Sequence, residues 1–396
     1  MSTSTSTVFD RLTGGSQLRS LLIDAATAAR SGSVTHAWLF TGAPGSGRTV
    51  AARALAAGLV CTSEVPGCGE CQACRTALAG NHPDVELIQP QELTTGVKFA
   101  RDVVEKAHTL PTSAPWRVVI FEDADRMTES ASNVLLKSVE EPPSRTVFML
   151  CAPSTHPRDI LPTIVSRCRH VYVPVPSNDD VAALLVAEGG VSEHDAALAA
   201  AASVGHIGRA RHLAHNIVAQ QRRAQVLGLA ELIYHGDLAF QEVGVLFTKI
   251  EAEVDQRLEP IEASEKEKLQ TAMGGGMKGK RVASLRSSLS AAEKELEATH
   301  KKRRTRQKRD ALDLALVDFA GIYRDALITA TGAGIGLTHP DMEGLSREIA
   351  SRHPAEAIVT CIDAIMKTRE LFGQNVRPVV ALDSMVGRIR LALGVR

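Results

Sequence analysis

The chain has 396 residues, of which 44% are hydrophobic and 23% charged, a composition that indicates a globular protein of two or three domains. Lys+Arg and Asp+Glu balance at 45 each, so the net charge gives no argument for nucleic-acid binding. No apolar run approaches the length of a membrane span. Residues 1–7 lack the basic and apolar regions of a signal peptide, and we therefore expect a cytoplasmic protein without membrane contact.

Alternating strands and helices are predicted for residues 1–176. A short apolar strand at 36–40 leads into a glycine-rich loop at 41–49 and a helix at 50–60. The same patterns predict further strands at 85–88, 117–121, 147–151 and 171–173, and helices at 16–31, 97–108 and 129–140. Strands that alternate with helices favour an α/β domain with a parallel sheet and helices on both faces.

The pattern becomes helical after residue 176. We predict a small helical lid domain at 177–215 and an all-α C-terminal domain at 216–396. The latter includes a glycine-rich stretch at 273–280 and a basic run at 301–309, and we predict a flexible basic insertion near 262–310. The basic run could contact DNA phosphates, or it could be a solvated helix end beside acidic residues; the sequence leaves both interpretations open.

A cluster of cysteines predicts a metal site. The clustered residues are Cys61, Cys68, Cys71 and Cys74, with the spacing C-x6-C-x2-C-x2-C. Four thiolates at such short separations can surround zinc tetrahedrally, so we predict a structural zinc module at 61–74. The alternative is a set of unrelated buried thiols. Cys151, Cys168 and Cys361 stand in apolar surroundings and are interpreted as packing residues.

The order of motifs between residues 118 and 168 carries a family resemblance. An acidic strand end at 118–125 is followed by Asn-Val-Leu-Leu-Lys-Ser-Val-Glu-Glu-Pro-Pro at 133–143 and then by Ser-Arg-Cys at 166–168. This order resembles the clamp-loader branch of the AAA+ ATPases, which open ring-shaped sliding clamps and place them on DNA. The resemblance implies a AAA+ P-loop domain with an inserted zinc module, then a lid, then a helical collar through which loader subunits associate.

The glycine-rich loop reads Gly-Ala-Pro-Gly-Ser-Gly-Arg-Thr and has the form of a phosphate loop. Gly42, Gly45 and Gly47 let the backbone surround phosphate oxygens, and Thr49 is placed to bind magnesium. Arg48 stands where such loops carry Lys, and its larger planar group does not replace a compact ammonium simply. An alternative is that the loop is now only structural. The sequence thus leaves open whether ATP and magnesium bind.

Other departures from the family pattern lie in the same predicted site. The family's ATPases have Asp then Glu at the acidic strand end, whereas this chain has Glu122 then Asp123. The exchange moves each carboxylate by about one methylene, and a misplacement of about 1 Å can lower a rate ~100-fold. Thr155 stands at the sensor-1 position, but Gly208 stands where the sensor-2 arginine is expected. We therefore expect the chain's own ATPase activity to be weak or absent.

The Ser-Arg-Cys motif is intact, by contrast. In the family its arginine is supplied to the nucleotide of a neighbouring subunit, so the resemblance gives Arg167 a catalytic role in trans as an arginine finger. The implied protein is a stator subunit of the bacterial DNA polymerase III clamp loader. Its expected partners are the gamma/tau and delta loader subunits, the sliding clamp and primer-template DNA, at the nucleoid-associated replisome. The simpler alternative is an ordinary ion-pair arginine at a strand edge.

Two alternatives to the stator function are considered from the same motifs. A catalytically active gamma/tau-type ATPase would have to tolerate Arg48, Glu122–Asp123 and Gly208 together, and their joint occurrence favours the non-catalytic interpretation. A AAA+ protein of recombination or repair is disfavoured by the segment at 133–143 together with Ser-Arg-Cys.

Overall fold

A parallel sheet forms the centre of the first part of the chain. The computed structural model describes residues 7–13, 15–90, 92, 94–273, 282–372 and 376–395. Within these residues the sheet consists of β1 (Ala37–Thr41), β2 (Val85–Ile88), β3 (Arg117–Phe121), β4 (Thr146–Ala152) and β5 (Arg169–Tyr172). The strands lie in the order β2-β3-β4-β1-β5, and every neighbouring pair is parallel.

Helices alternate with the strands, as the sequence pattern predicts. They are α1 (Gly15–Arg30), α2 (Arg48–Val60), α3 (Gln72–Ala79), α4 (Val97–Ala107), α5 (Glu129–Glu140) and α6 (Pro162–Val165). Short 3-10 helices lie at Val8–Arg11 and Ala124–Arg126. Local chemistry sets the bounds of α5: the Thr128 hydroxyl accepts a hydrogen bond from the Ala131 backbone N–H at 3.2 Å, and Pro142 and Pro143 prevent continuation of the helix.

The two faces of the sheet are covered by different helices. On one face, Trp38 and Phe40 of β1 pack in an apolar cluster with residues of α1 and α2. On the other face, Leu39 lies in a second cluster with residues of α4, α5 and α6. Helix α2 lies close against α1, since a Cβ added at Gly58 would be only 2.9 Å from the Ala26 Cβ. The predicted parallel sheet with helices on both faces is confirmed.

The described residues after β5 are helical, as predicted for the C-terminal region. The helices are α7 (Asn178–Glu188), α8 (Glu193–Ser203), α9 (Ile207–His215), α10 (Ile217–Leu232), α11 (Leu238–Ala272), α12 (Val282–Thr331), α13 (Glu343–Arg352), α14 (Ala355–Phe372) and α15 (Pro378–Ala392), with a 3-10 helix at Pro340–Met342. In the described part of the chain, none of these helices has the length and apolar character needed to cross a membrane.

The chain divides into two compact units. The first runs to Arg211, and the second begins at His212 and also includes Glu92. The residues predicted to form a lid, 177–215, lie in the first unit up to Arg211. The second unit has a separate apolar core, to which Phe319 of α12 and Met385 of α15 belong.

Within the flexible insertion predicted near 262–310, the described residues 262–272 and 282–310 are helical. Helix α11 continues to Ala272 and α12 begins at Val282, while the glycine-rich residues 274–281 lie outside the described part. Ion pairs join the two helices: Arg303–Glu265 at 2.9 Å, Arg304–Glu262 at 2.5 Å and Lys308–Asp255 at 2.6 Å. The basic run thus faces carboxylates of its own chain, which favours the helix interpretation over a DNA contact.

Candidate functional site

The clustered cysteines come together at the C-terminal end of α2. Cys61 follows that helix directly, and Cys71 caps the start of α3 by accepting a hydrogen bond from the Cys74 backbone N–H. The sulfur atoms of Cys61, Cys68, Cys71 and Cys74 lie within 4.8 Å of one another, with 3.8 Å between Cys61 and Cys68. Tetrahedral zinc–sulfur bonds of ~2.3 Å place sulfur atoms about 3.8 Å apart, so this geometry fits a metal ion.

Hydrogen bonds to sulfur lower the pKa values of Cys68 and Cys71, whereas burial raises the pKa of Cys74. The Cys71 backbone N–H donates to Cys68 Sγ at 3.3 Å. Burial by itself raises the pKa of the Cys71 thiol, but hydrogen bonds from the backbone of Cys74 and Thr62 outweigh it and lower that pKa to about 6. The thiolate is the form that binds metal. Because Cys74 is fully buried, the cluster has the closed character of a structural site.

The phosphate loop lies between β1 and α2, at the carboxyl edge of the sheet. Since β1 neighbours β4 and β4 neighbours β3, the segments that follow these three parallel strands meet at one edge. A side chain at Gly42 would collide with the Val173 carbonyl oxygen. Gly45, with a φ of 84°, lies against the His206 ring, which a Cβ would also strike. Close packing therefore requires glycine at both positions.

Hydrogen-bond donors in this loop are available for an anion. Among the described residues, Ser46 Oγ and Arg48 Nη1 are buried and have no hydrogen-bond partner. Helix α2 begins at Arg48, so its first backbone N–H groups are also directed at the loop. These donors fit a phosphate group. Thr49, the second residue of α2, is half-buried and follows Arg48 directly.

The acidic pair after β3 lies near the phosphate-loop arginine. Burial raises the pKa of the Cys151 thiol to about 12, and the charges of Arg48, Glu122 and Asp123 all act on the same thiol. Asp123 also pairs with Arg126, with 3.6 Å between the carboxylate oxygen and Nε. The structure therefore brings the phosphate loop and the acidic pair together around the end of β4.

The predicted sensor-1 residue lies on the exposed turn that follows β4. Thr155 is exposed, and among the described contacts none joins it to the phosphate loop. Its neighbour Ser154 is engaged locally: the Ser154 hydroxyl donates to Asp159 Oδ2 at 2.6 Å and accepts from the His156 backbone N–H at 2.9 Å. In this arrangement, the turn is organised by Ser154 and not by Thr155.

The segment before α9 contributes a histidine that sequence analysis did not single out. Burial lowers the pKa of His206, and the positive charges of Arg209 and Arg48 lower it further, so a neutral ring rests on Gly45. A sequence signal existed, because His206 stands inside the segment at 205–210 that was compared with the sensor-2 pattern. The sequence could not show that this ring reaches the phosphate loop.

Arg167 lies between α6 and β5, and its side chain is 39% exposed. Its Nε lies 2.5 Å from Glu140 Oε1, and its Nη1 donates to the Thr163 carbonyl oxygen at 3.0 Å and to Ser166 Oγ at 3.2 Å. These partners belong to the end of α5 and to the α6 region. Within the described residues, the guanidinium therefore makes its contacts outside its own phosphate loop.

Comparisons with known proteins agree with the motif order. Residues 19–177 match a family described as "DNA polymerase III, delta subunit". The chain is 35% identical over 207 residues to DNA polymerase III subunit delta' of Escherichia coli (strain K12), covering 51% of this chain and 61% of that protein. It is 36% identical over 145 residues to the same subunit of Yersinia pestis, covering 36% and 42%.

A related subunit type is also similar. DNA polymerase III subunit gamma/tau of Mycobacterium tuberculosis (strain H37Rv) is 36% identical over 144 residues, covering 35% of this chain and 24% of that protein. The matched segments span about half the length of the delta' relatives, 42% and 61% in the two cases above. The comparisons thus support the clamp-loader resemblance over part of the chain.

Proposed function

We propose that this chain, which in residues 19–177 is similar to delta-prime subunits, acts as a stator of the DNA polymerase III clamp loader. In this proposal it supplies Arg167 to the ATP site of a neighbouring gamma/tau-type subunit while the sliding clamp is loaded onto primer-template DNA. The observation that carries the proposal is a contrast. Arg167 is exposed and held outside its own phosphate loop, whereas that loop has Arg48 in place of Lys.

The physical argument concerns charge in the transition state. Phosphoryl transfer spreads negative charge over the phosphate oxygens, and a guanidinium from the next subunit can stabilise this charge. The chain's own site lacks the parts for hydrolysis: Glu122 and Asp123 stand in exchanged order, and Gly208 replaces an arginine. The His206 ring against Gly45 adds a further obstacle to a bound nucleotide.

The cofactors follow from the same geometry. We propose that the cysteine cluster binds one structural zinc ion, because its sulfur separations and its closed surroundings suit that metal. If a nucleotide binds, Ser46, Arg48 and the first turn of α2 would hold its phosphate. We place the working protein in the cytoplasm, at the nucleoid-associated replisome, with gamma/tau, delta, the clamp and DNA as its partners.

A second candidate function is an active gamma/tau-type ATPase. It is favoured by the 36% identity to a gamma/tau subunit and by the unpartnered donors of the phosphate loop. The two candidates predict opposite results for ATP hydrolysis by the isolated chain. Both candidates would supply Arg167 to a neighbouring subunit, so ATP hydrolysis by the isolated chain is the measurement that separates them.

The experiment is a reconstituted clamp loader that carries Arg167→Ala. We expect normal assembly, a partial loss of DNA-stimulated ATP hydrolysis and a larger loss of clamp loading. Fingers of this kind contribute ~1,000-fold or more at their own site, but only one of several sites would lack its finger here. Loading falls further because it needs the sites to act together.

A matched control is Arg101→Ala, which removes an exposed arginine on α4. This variant should hydrolyse ATP and load clamps like the wild type. If Arg167→Ala assembles and also retains wild-type hydrolysis and loading, Arg167 is structural and the stator proposal is wrong.

A further inference from the structure

Glu140 is the ion-pair partner of Arg167, and we propose that it positions the arginine finger for the neighbouring ATP site. The inference rests on the proposed function, since a finger must exist to be positioned. Glu140 is the last residue of α5, and its Oε1 lies 2.5 Å from Arg167 Nε. It is a positioning residue because it acts through the guanidinium and not on the nucleotide itself.

The contacts of the guanidinium leave one nitrogen available. Nε is held by Glu140, and Nη1 is held by the Thr163 carbonyl oxygen and by Ser166 Oγ. Within the described residues, Nη2 has no hydrogen-bond partner. A guanidinium is a planar, rigid group, so two fixed nitrogens determine its plane and the direction of the third. Nη2 can therefore be presented to a phosphate outside the subunit without breaking either contact.

The place of Glu140 in its helix supports the same role. A negative charge at the C-terminal end of a helix is unfavourable, because the helix dipole is negative there. The carboxylate therefore gains nothing from α5, and its compensating contact is Arg167. The end of the helix is also well fixed: the Glu141 backbone N–H donates to the Lys137 carbonyl oxygen, and two prolines follow. Glu140 thus anchors the finger to a defined point.

The exposure of both side chains determines how much the loss of the ion pair should change the activity. The side chains of Arg167 and Glu140 are 39% and 40% exposed. An ion pair at this level of exposure contributes little to folding, and its loss corresponds to about a two- to fivefold change in an equilibrium or a rate. Loss of Glu140 should therefore reduce finger function partly, and it should leave the fold intact.

The test is a double-mutant cycle in the reconstituted loader, with ATP hydrolysis by the partner subunits as the measurement. Glu140→Ala should lower kcat at the one affected site about two- to fivefold, so the total kcat should fall less than in Arg167→Ala, with little change in KM for ATP. Glu140→Gln keeps an oxygen acceptor for Nε, so it should retain more activity than Glu140→Ala. In the Arg167→Ala background, Glu140→Ala should have no further effect. Glu141→Ala is the matched control, because Glu141 is the exposed neighbour, and it should behave as wild type.

The outcomes separate the two proposals. If Arg167→Ala lowers hydrolysis but Glu140→Ala does not, the positioning role is wrong and the stator proposal stands. An equal effect of Glu140→Ala with and without Arg167 would also overturn the positioning role. If Arg167→Ala has no effect, both proposals are wrong. Should Glu140→Ala fail to assemble, Glu140→Gln carries the test, and a wild-type kcat for that variant would refute the inference.

Discussion

Helix α2 begins at the phosphate loop and ends at the cysteine cluster, and these two ends carry sites of different completeness. At the C-terminal end, sulfur atoms within 4.8 Å of one another supply every ligand of a tetrahedral metal site. At the N-terminal end, Arg48 stands in place of Lys, and Glu122 and Asp123 stand in exchanged order. The same helix therefore joins a site with a full ligand set to one that lacks several parts.

The comparison teaches what each kind of site requires. A structural metal site needs only the right atoms at bonding distance in a closed place, and nearby backbone N–H groups can prepare its thiolates. Hydrolysis needs carboxylates and cations placed to within about 1 Å, since small displacements reduce the rate strongly. The cysteine cluster can thus supply a full set of metal ligands from this chain alone, whereas the phosphate end is expected to depend on a neighbour for chemistry.

The largest expected effect on stability follows from a substitution in the cysteine cluster. Cys74→Ser should abolish stoichiometric zinc binding and lower the free energy of unfolding by at least about 3 kcal/mol, because structural zinc contributes on the order of 10 kcal/mol to folding in small zinc domains. Metal analysis and urea unfolding measure the two changes. The control, Cys361→Ser, changes a buried thiol of the second unit and should retain zinc. Less than half an equivalent of zinc in the wild type, with all the clustered thiols freely titratable, would refute the site.

The second prediction concerns ATP hydrolysis, which we expect to be negligible in the isolated chain and not to be gained by a single substitution in the phosphate loop. The isolated chain should turn over ATP well below ~1 per second, the lower end of common enzyme rates. Arg48→Lys alone should leave turnover at background, because Glu122–Asp123 and Gly208 still depart from the ATPase pattern. Phosphate release measures both proteins, with an active gamma/tau-type subunit as the positive control. A wild-type rate of ~1 per second or more would favour the ATPase alternative.

The smallest effect is a pH dependence of stability at the phosphate end. The folded chain lowers the pKa of His206, chiefly by burial, so below about pH 6.5 the unfolded chain binds a proton that the folded chain does not. The free energy of unfolding should therefore fall as the pH drops from 7 to 5. His206→Gln should reduce this slope without abolishing it, because the pKa values of His82, His212 and His353 are also lowered by burial.

Urea unfolding at pH 7 and pH 5 measures this slope. His194→Gln, at an exposed position of α8, should leave it unchanged. An identical slope in wild type and His206→Gln would mean that His206 is not held neutral against the loop.

Local signals in the sequence predicted much of the fold. The strands at 85–88 and 117–121 and the helix at 129–140 have the predicted bounds, because apolar runs, a Thr cap and two prolines define them within a few residues. The cysteine spacing likewise predicted a cluster, since ligands so close in sequence are bound to be close in space. A feature that depends only on residues close together in the sequence can therefore be predicted from the sequence.

Features that depend on distant partners could not be predicted in this way. The basic run near residue 304 looked like part of a flexible insertion, but its cations meet carboxylates of α11, as in the Arg304–Glu262 pair across 42 residues. The contact between His206 and Gly45 and the pair formed by Glu140 and Arg167 are likewise non-local. No periodicity or spacing encodes such contacts, because they arise only when the sheet order is known.

The packing of the phosphate loop has a consequence for mutational tolerance. Gly42 lies against the Val173 carbonyl oxygen, Gly45 lies against His206, and Gly58 brings α2 close to α1. Any larger residue at these positions would disturb the interior, whether or not a nucleotide ever binds. The outline of the loop is therefore constrained by packing, independently of hydrolysis. Arg48 differs from these glycines, because its buried Nη1 has no hydrogen-bond partner among the described residues. The glycines of the loop are therefore explained by packing alone. Arg48 is a better indicator of catalytic capacity than the glycines are.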